Sequence, residues 1–204
     1  MERIQCAVSG VILAAGRSSR MGRDKLSLPF NGKPMLQHVV DAARKSRLKK
    51  ITVVIPGASE LENAVDFSGC DVVRLVRRDL GQSASLQAGL RNVMNDSDGC
   101  MILLGDQPLI TPAAIDMLAG AFAQQPECWV APVQEGMRGN PITIPSAWYQ
   151  KIFEIEGDIG ARQLLASAGL PLRLVRIHEI GPFIDVDTTL QYSRLLDKYE
   201  SKSA

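Results

Sequence analysis

The sequence predicts an α/β fold with a mostly parallel sheet covered by helices on both faces. Short apolar runs typical of buried strands alternate with stretches of helical spacing from residue 7 to residue 132. This strand–helix order favours parallel strands with helices packed on each face. No repeat, low-complexity segment or linker divides the 204 residues, so we expect one domain over residues 1–204.

The first half of the chain supplies three predicted strands. They cover residues 7–13, 51–55 and 72–76, and each is a short apolar run. A helix is expected from Pro34, which suits a first helical position, to about residue 46. A shorter helix is expected over residues 60–65.

The middle of the chain continues the alternation. We expect strands at residues 100–104 and 129–132. A helix should open near Gly81 with Ser83 as its cap, and another should begin at Thr111 and Pro112, a capping residue followed by a first-turn proline.

After residue 132 the pattern is less regular. Residues 134–140 are glycine-rich and polar, which favours a loop over the carboxyl edge of the sheet. Strands are expected at residues 142–144, 172–177 and 183–186. Helices are expected at residues 148–154, at 158–168 with Asp158 as cap, and after a capping Thr188.

Composition excludes several classes of function. The formal net charge is only +1, which argues against general binding to nucleic acid or to a membrane surface. No apolar run reaches about 18 residues and no signal peptide is evident, so no membrane span is expected. The four cysteines lack metal-ligand or C-x-x-C spacing, which favours a reduced, cytoplasmic protein.

The turn after the first strand is the strongest candidate for a ligand site. Ala14, Ala15 and Gly16 have little side-chain bulk, so a ligand can approach the backbone closely. Four cations then follow within nine residues: Arg17, Arg20, Arg23 and Lys25. The spacing fits neither a P-loop nor a dinucleotide fingerprint. We interpret the turn as a cradle for a triphosphate; the alternative is a solvated basic loop.

Acidic residues follow two other predicted strands. Asp106 comes directly after residues 100–104, at the edge where an open parallel sheet binds ligands. It could hold Mg²⁺ between phosphate oxygens, or it could only shape the turn before Pro108. Asp185 and Asp187 flank Val186 and would share one face of a strand, and one of them could complete the metal site.

A third candidate region opens the helix at Gly81. Its backbone and the hydroxyl of Ser85 could contact a nucleobase, although a helix start with serine caps needs no ligand. His38 and His178 are expected to be structural or surface residues.

Four stretches together resemble one enzyme family. They are residues 13–25, 105–108, 139–141 and 157–162, with residues 185–188 as a looser fifth. The chain is similar to molybdenum cofactor cytidylyltransferase and its relatives, including accessory proteins of xanthine dehydrogenase. The resemblance implies a three-layer, Rossmann-like fold of the nucleotide-diphospho-sugar transferase type. Two features favour the cytidylyl branch: Ala15, where the guanylyltransferase branch has glycine, and Gln107, where that branch favours Gly-Asp-Thr-Pro or a similar tetrad.

The resemblance also implies roles for particular residues. Residues contacting the nucleotide would be Leu13, Ala14, Ala15, Gly16, Gly81 and Ser85. Arg20 and Lys25 would hold its phosphates, and with Asp106 they form the expected catalytic group. Asp106 would bind Mg²⁺, for which Asp187 is the expected second ligand. Asn140 and Pro141 would face the acceptor, although the family often has Gly-His-Pro where this chain has Gly139, Asn140 and Pro141.

The implied reaction transfers CMP from CTP to the phosphate of molybdopterin and releases pyrophosphate. The product would serve a xanthine dehydrogenase-type molybdoenzyme or its chaperone. Two alternatives remain open at this point. The acceptor could be a sugar or polyol phosphate, or the protein could be a non-catalytic chaperone that binds molybdopterin.

Overall fold

The computed structural model describes residues 6–16, 24–76, 81–167 and 169–199. The strands are β1 Val8–Leu13, β2 Pro29–Phe30, β3 Lys33–Pro34, β4 Ile51–Pro56, β5 Asp71–Leu75, β6 Gly99–Leu104, β7 Trp129–Gln134, β8 Met137–Arg138, β9 Ile142–Pro145 and β10 Leu172–Arg176. The helices are α1 Met35–Arg44, α2 Leu61–Ala64, α3 Gln82–Val93, α4 Pro112–Gln124, α5 Tyr149–Phe153, α6 Ala161–Ser167 and α7 Thr189–Tyr199.

One mostly parallel sheet contains eight of the strands in the described residues, in the order β10-β7-β9-β6-β1-β4-β5, with β8 paired to β7. Strand β9 is antiparallel to both of its neighbours, β6 and β7. The other pairs along this order are parallel. The predicted α/β class is therefore confirmed. The carboxyl ends of β1, β4, β5, β6 and β7 lie along one edge of the sheet.

Helices cover both faces of this sheet. On one face Ile12 packs in a buried cluster with Leu36 of α1 and Leu118 of α4. Its neighbour Val11 lies in a second cluster with Leu86 of α3 and Ile152 of α5. Successive strand residues point to opposite faces, so the continuous apolar run of β1 supplies both cores. This arrangement is the predicted three-layer fold.

A small hairpin, β2 and β3, precedes α1 and was not predicted. Asn31 and Gly32 form its turn with positive φ angles of 46° and 76°. Asn-Gly is the preferred dipeptide for such a two-residue turn because both positions need positive φ. Phe30 of the hairpin packs with Val186 and with Leu195 of α7 in a third buried cluster. The hairpin thereby holds the C-terminal helix against the body of the protein.

The prediction of a strand at residues 183–186 is wrong. Residues Gly181–Phe183 form a 3₁₀ turn, and the chain that follows is extended but belongs to no strand. The Val186 N–H donates to the carbonyl of Asp106 instead of joining a ladder, at 3.1 Å. The loop expected at residues 134–140 contains the short strand β8, which folds back on β7.

Two predicted helix caps are also wrong. Gly81, with φ at +81°, is the N-cap residue of α3, so Ser83 lies inside the helix. Helix α6 begins only at Ala161, which leaves Asp158 too far upstream to cap it. The predicted cap of α4 is confirmed, because Thr111 accepts a hydrogen bond from the Ala114 N–H. None of the helices in the described ranges has the length and apolar character that crossing a membrane requires.

Candidate active site

The carboxyl ends of β1 and β6 bring two predicted site segments together. The two strands pair in register up to Leu13 and Leu104. Just beyond, the Gly105 N–H donates to the Leu13 carbonyl at 3.0 Å. On the other side of β1, the Ala14 N–H donates to the carbonyl of Val54 in β4, at 2.9 Å. The small-residue turn and the loop that carries Asp106 are therefore direct neighbours.

Glycine at position 105 permits this close approach. A Cβ atom there would lie 3.1 Å from the Leu13 carbonyl oxygen and 3.1 Å from a methyl carbon of Leu36. Both distances are tighter than ordinary van der Waals contact. A larger residue would push the loop away from β1 and move Asp106 with it.

Lys25 lies at the start of a 3₁₀ turn, Lys25–Ser27, that is fixed at both ends. Asp24 caps it by accepting a hydrogen bond from the Leu26 N–H at 3.1 Å. Leu26 and Leu28 are buried, at 5% and 7% exposure. These two anchors fix the backbone on either side, so that the long side chain of Lys25 reaches over the strand ends.

The ammonium group of Lys25 lies between two carboxylates. It donates to Asp106 Oδ2 at 2.6 Å and to Asp187 Oδ1 at 2.8 Å. Only 15% of the Lys25 side chain and 19% of the Asp106 side chain is exposed, against 46% for Asp187. We call Asp106 and Asp187 the acidic pair. The acidic pair thus meets Lys25 at one point, although its members lie 81 and 162 positions away from Lys25 in the sequence.

Asp187 reaches this point through residues 181–188, which we call the C-terminal segment. Val186, fully buried in the third cluster, anchors it. The Val186 N–H bonds the Asp106 carbonyl, as described above. Gln107, next to Asp106, is 2% exposed and donates to Asp185 Oδ1 at 2.6 Å and to the Pro182 carbonyl at 3.3 Å.

The charges at the site shift the pKa values of two groups in the same direction for different reasons. Burial alone lowers the pKa of Lys25, but the charges and hydrogen bonds of Asp106 and Asp187 outweigh it and raise that pKa. Lys25 is therefore fully charged at neutral pH. Burial raises the pKa of Asp185, and the negative charge of Asp106 raises it further against the hydrogen bond from Gln107.

The acidic pair could supply carboxylate oxygens to a hard divalent cation. The pair already holds a positive charge, the Lys25 ammonium, within 2.8 Å of both carboxylates. Carboxylate oxygens suit Mg²⁺ or Mn²⁺, and Mg²⁺ typically takes one or two protein carboxylates together with water and phosphate oxygens. Within the described residues, no three His, Cys, Asp or Glu side chains cluster as a metal site. A cation here would take its remaining ligands from water and from a bound substrate.

The predicted acceptor residues lie against the C-terminal segment. The Asn140 N–H donates to the Pro182 carbonyl at 2.9 Å, and Asn140 and Pro141 are both buried. A side chain at Gly139 would overlap Pro182 and Phe183. The Gly139–Pro141 stretch therefore packs on the same C-terminal segment that carries Asp187.

The predicted base-binding residues occupy a different part of the strand edge. Gly81 lies against Gly157, where a Cβ atom would overlap the backbone, and the Ser83 N–H donates to the Gly157 carbonyl at 3.0 Å. Ser85 is 6% exposed inside α3. The start of α3 thus packs against the loop 157–160, a contact between two of the stretches that carry the family resemblance.

The remaining predicted residues belong to the small-residue turn after β1 and to the basic stretch that follows it in the sequence. Ala14 and Ala15 are buried, whereas Gly16 is exposed and a side chain there would meet open space. Arg20, expected to hold phosphate, lies outside the described residues, as do Arg17 and Arg23. Gln107 was part of the resemblance but was given no role of its own from the sequence, because the burial of a polar side chain in a turn depends on distant residues.

The mostly parallel sheet, with Lys25 and Asp106 at its carboxyl edge and Asp187 brought to them by the C-terminal segment, has the arrangement of an α/β nucleotidyltransferase. The family model described as "MobA-like NTP transferase domain" matches residues 10–174, and the chain belongs to this family.

The chain is also similar to individual proteins. The chain is 31% identical to the purine catabolism protein PucB of Bacillus subtilis over 193 residues, which cover 90% of this chain and 93% of PucB. Its structure is similar to the crystal structure of Rv0371c from Mycobacterium tuberculosis, at 28% identity and a TM-score of 0.83, covering 94% of this chain and 98% of that one. Rv0371c has also been solved in complex with manganese.

A more distant likeness concerns the fold alone. CMP:2-keto-3-deoxy-manno-octonic acid synthetase, solved in complex with CTP, superposes with a TM-score of 0.78 at 19% identity. The shared region covers 96% of this chain and 99% of the synthetase. The fold is therefore of the nucleotide-diphospho-sugar transferase type.

Proposed function

We propose that this protein transfers CMP from CTP to the terminal phosphate of molybdopterin, releases pyrophosphate and so serves the maturation of a molybdenum hydroxylase. The observation that carries the proposal is the meeting of Lys25, Asp106 and Asp187 beside the small-residue turn at the end of β1. The likeness to a purine catabolism protein supports the link to a molybdoenzyme. The four cysteines lack C-x-x-C and metal-ligand spacing, which supports a reaction in the reducing cytoplasm.

The proposal of CTP rests on the residues of the turn. Residues 13–16 read Leu-Ala-Ala-Gly, as in the cytidylyl branch that the sequence resembles. Ala14 and Ala15 are buried against the sheet, which leaves the backbone of the turn to contact the nucleotide. Gly81 and Ser85 are proposed to lie near the base.

Lys25 is proposed to stabilise the triphosphate. Its ammonium is a fixed positive charge at the strand ends, and its raised pKa keeps it charged throughout the neutral range. Negative charge builds on the leaving pyrophosphate, and a preorganised cation stabilises it more than water does. Arg20 is proposed to act beside it.

The attacking group needs no general base. A phosphate monoester is largely dianionic at neutral pH, since its second pKa is about 6. The site accordingly works by positioning and charge neutralisation. A divalent cation held by Asp106 and Asp187 would supply further neutralisation on the phosphate oxygens. Asn140 and Pro141, held on the C-terminal segment, are proposed to position the acceptor.

The test is a panel of CTP, GTP, ATP and UTP, each supplied with molybdopterin and Mg²⁺, with pyrophosphate release and product mass measured. We expect release with CTP well above the other three and a product heavier than molybdopterin by CMP. A sugar or polyol phosphate replaces molybdopterin in parallel reactions, in which no release is expected.

Each other result selects a different function. Preference for GTP would overturn the choice of base, and transfer only to a sugar or polyol phosphate would overturn the acceptor. Tight molybdopterin binding without consumption of any nucleotide would identify a chaperone. None of these results would alter the fold or the geometry of the site.

A further inference from the structure

Among the described residues, three hydrogen bonds join the C-terminal segment to the loop of Asp106. One is the backbone bond from Val186 to Asp106. The other two come from the side-chain amide of Gln107, which donates to Asp185 and to the Pro182 carbonyl. Gln107 is 2% exposed, and these two bonds satisfy both hydrogens of its amide. A buried amide that loses such partners is costly, so these contacts fix the segment.

Asp185 and Asp187 use their carboxylates differently, although one residue separates them. Asp187 Oδ1 accepts from the Lys25 ammonium at 2.8 Å. Asp185 Oδ1 accepts from the Gln107 amide at 2.6 Å. Val186 between them is fully buried. One carboxylate therefore faces the catalytic lysine, whereas the other is used for holding two loops together.

Asp187 is also supported from α7. Its own N–H donates to Gln191 Oε1 at 2.9 Å. This bond fixes the backbone after Val186, but it does not tie the segment to the loop of Asp106. The contacts of residues 182–186 with residues 106–107 tie the segment directly to the loop of Asp106, so the distance between the two members of the acidic pair depends in large part on them.

We propose that Gln107 and Asp185 form a positioning pair, which holds Asp187 beside Lys25 and Asp106, and that Asp185 contacts neither the nucleotide nor the cation. The inference rests on the proposed role of the acidic pair in binding a nucleotide-associated cation. Loss of the Gln107–Asp185 bond would let the C-terminal segment move and widen the acidic pair. Groups that orient metal ligands commonly affect metal affinity by 10- to 100-fold.

Two substitutions at position 185 separate positioning from ligation. Asp185→Asn keeps an oxygen that can accept from Gln107, whereas Asp185→Ala removes it. Gln107→Met removes both donors with little change in length. Asp187→Asn is the reference for loss of a proposed ligand, and the double variant Gln107→Met/Asp185→Ala tests whether the pair acts as a unit.

The measurement is Mn²⁺ affinity in the presence of the α,β-methylene analogue of CTP, which cannot react. Free Mn²⁺ is counted by electron paramagnetic resonance and compared with the same analogue without protein, and circular dichroism melting confirms that each variant is folded. We expect Asp185→Asn to stay within about threefold of wild type. Asp185→Ala and Gln107→Met should each weaken Mn²⁺ binding by about tenfold or more, and the double variant no further.

Three results would overturn the inference. A loss for Asp185→Asn as large as that for Asp187→Asn would make Asp185 a ligand. Wild-type affinity in folded Asp185→Ala would remove its positioning role. Multiplied effects in the double variant would show that the two residues act separately.

Failure of the proposed function has a different signature. If cytidine is the wrong base, wild-type protein itself fails to bind Mn²⁺ with the CTP analogue, and the same titration is repeated with the GTP, ATP and UTP analogues. The positioning inference is read only from differences among variants with whichever analogue binds. The acceptor plays no part in the measurement.

Discussion

Lys25 is the residue on which the proposed chemistry depends most. Its ammonium contacts both carboxylates of the acidic pair and offsets the repulsion between them. Because only 15% of the Lys25 side chain and 19% of the Asp106 side chain is exposed, this charge acts at a lower effective dielectric constant than that of a surface lysine.

We predict that Lys25→Ala and Asp106→Ala each lower turnover by about 10²-fold or more, on the scale of losing one preorganised electrostatic contact. Pyrophosphate release under saturating substrate measures this effect. Lys151→Ala is the matched control, since Lys151 is 59% exposed and pairs only with Glu154 among the described salt bridges. Near-normal release by Lys25→Ala or Asp106→Ala would refute the role assigned to that residue.

Two glycines should respond oppositely to alanine. Gly81 has a φ of +81° and abuts the backbone of Gly157, so Gly81→Ala should destabilise the fold by about 2 kcal/mol or more. Gly120 lies within α4, and a Cβ there meets open space. Gly120→Ala should stabilise by about 0.5–1 kcal/mol because alanine favours helix.

Urea denaturation of wild type and of the two glycine variants gives the change in the free energy of unfolding for each variant. Equal stability of Gly81→Ala and wild type would contradict the close packing of α3 on the loop 157–160. A destabilised Gly120→Ala would show that this face of α4 is covered in the protein.

At the scale of elements, α7 begins with a reciprocal cap. The Gln191 N–H donates to Thr188 Oγ1 at 3.2 Å, and Gln191 Oε1 accepts from the Thr188 N–H at 2.9 Å. This is a capping box, and the predicted cap at Thr188 is confirmed. It also fixes the end of the C-terminal segment directly after Asp187.

Thr188→Ala should therefore lower the free energy of unfolding by about 1 kcal/mol. Thr189→Ala is the control, because Thr189 is exposed at the first position of the helix. Chemical denaturation compares the two. Equal effects of the two substitutions would mean that the hydroxyl of Thr188 contributes nothing through capping.

Elements formed by local pattern could be predicted from the sequence, and those formed by distant contacts could not. Strand β1 and helix α4 lie close to the predicted positions, because apolar periodicity and a threonine–proline start are local signals. The hairpin at Asn31 and Gly32 is an exception: its Asn-Gly dipeptide is a local signal for a two-residue turn, but the hairpin was not predicted. The strand expected at residues 183–186 failed because its backbone bonds the loop of Asp106, which the local pattern does not reveal.

At the scale of the whole molecule, surface carboxylates couple stability to pH. Hydrogen bonds from Arg44 and Ser68 hold the pKa of Asp66 well below 3.8, and those from Asn92 and Lys50 lower the pKa of Asp71. A carboxyl group whose pKa is lowered in the folded state stabilises the protein at pH values above its unfolded-state pKa. This stabilisation is lost as pH falls toward the folded-state pKa.

We accordingly predict that the urea midpoint is steady from pH 7 to about 5 and falls below about pH 4. Asp66→Asn should make that fall shallower, and added salt should weaken the difference because Asp66 is exposed. The measurement is a set of urea titrations between pH 7 and 3. A fall of the same steepness in Asp66→Asn would exclude Asp66 as a contributor.

The sequence by itself determined the fold class and the segments from which the site is built. Apolar runs alternating with amphipathic stretches specify a covered parallel sheet, and the small-residue turn and Asp106 follow strands whose ends must share an edge. The tertiary structure alone decided that Asp187 reaches Lys25, that Asp185 bonds Gln107 and that Gly81 faces Gly157. These contacts join residues up to 162 positions apart, and their geometry depends on how the loops pack after the sheet has formed.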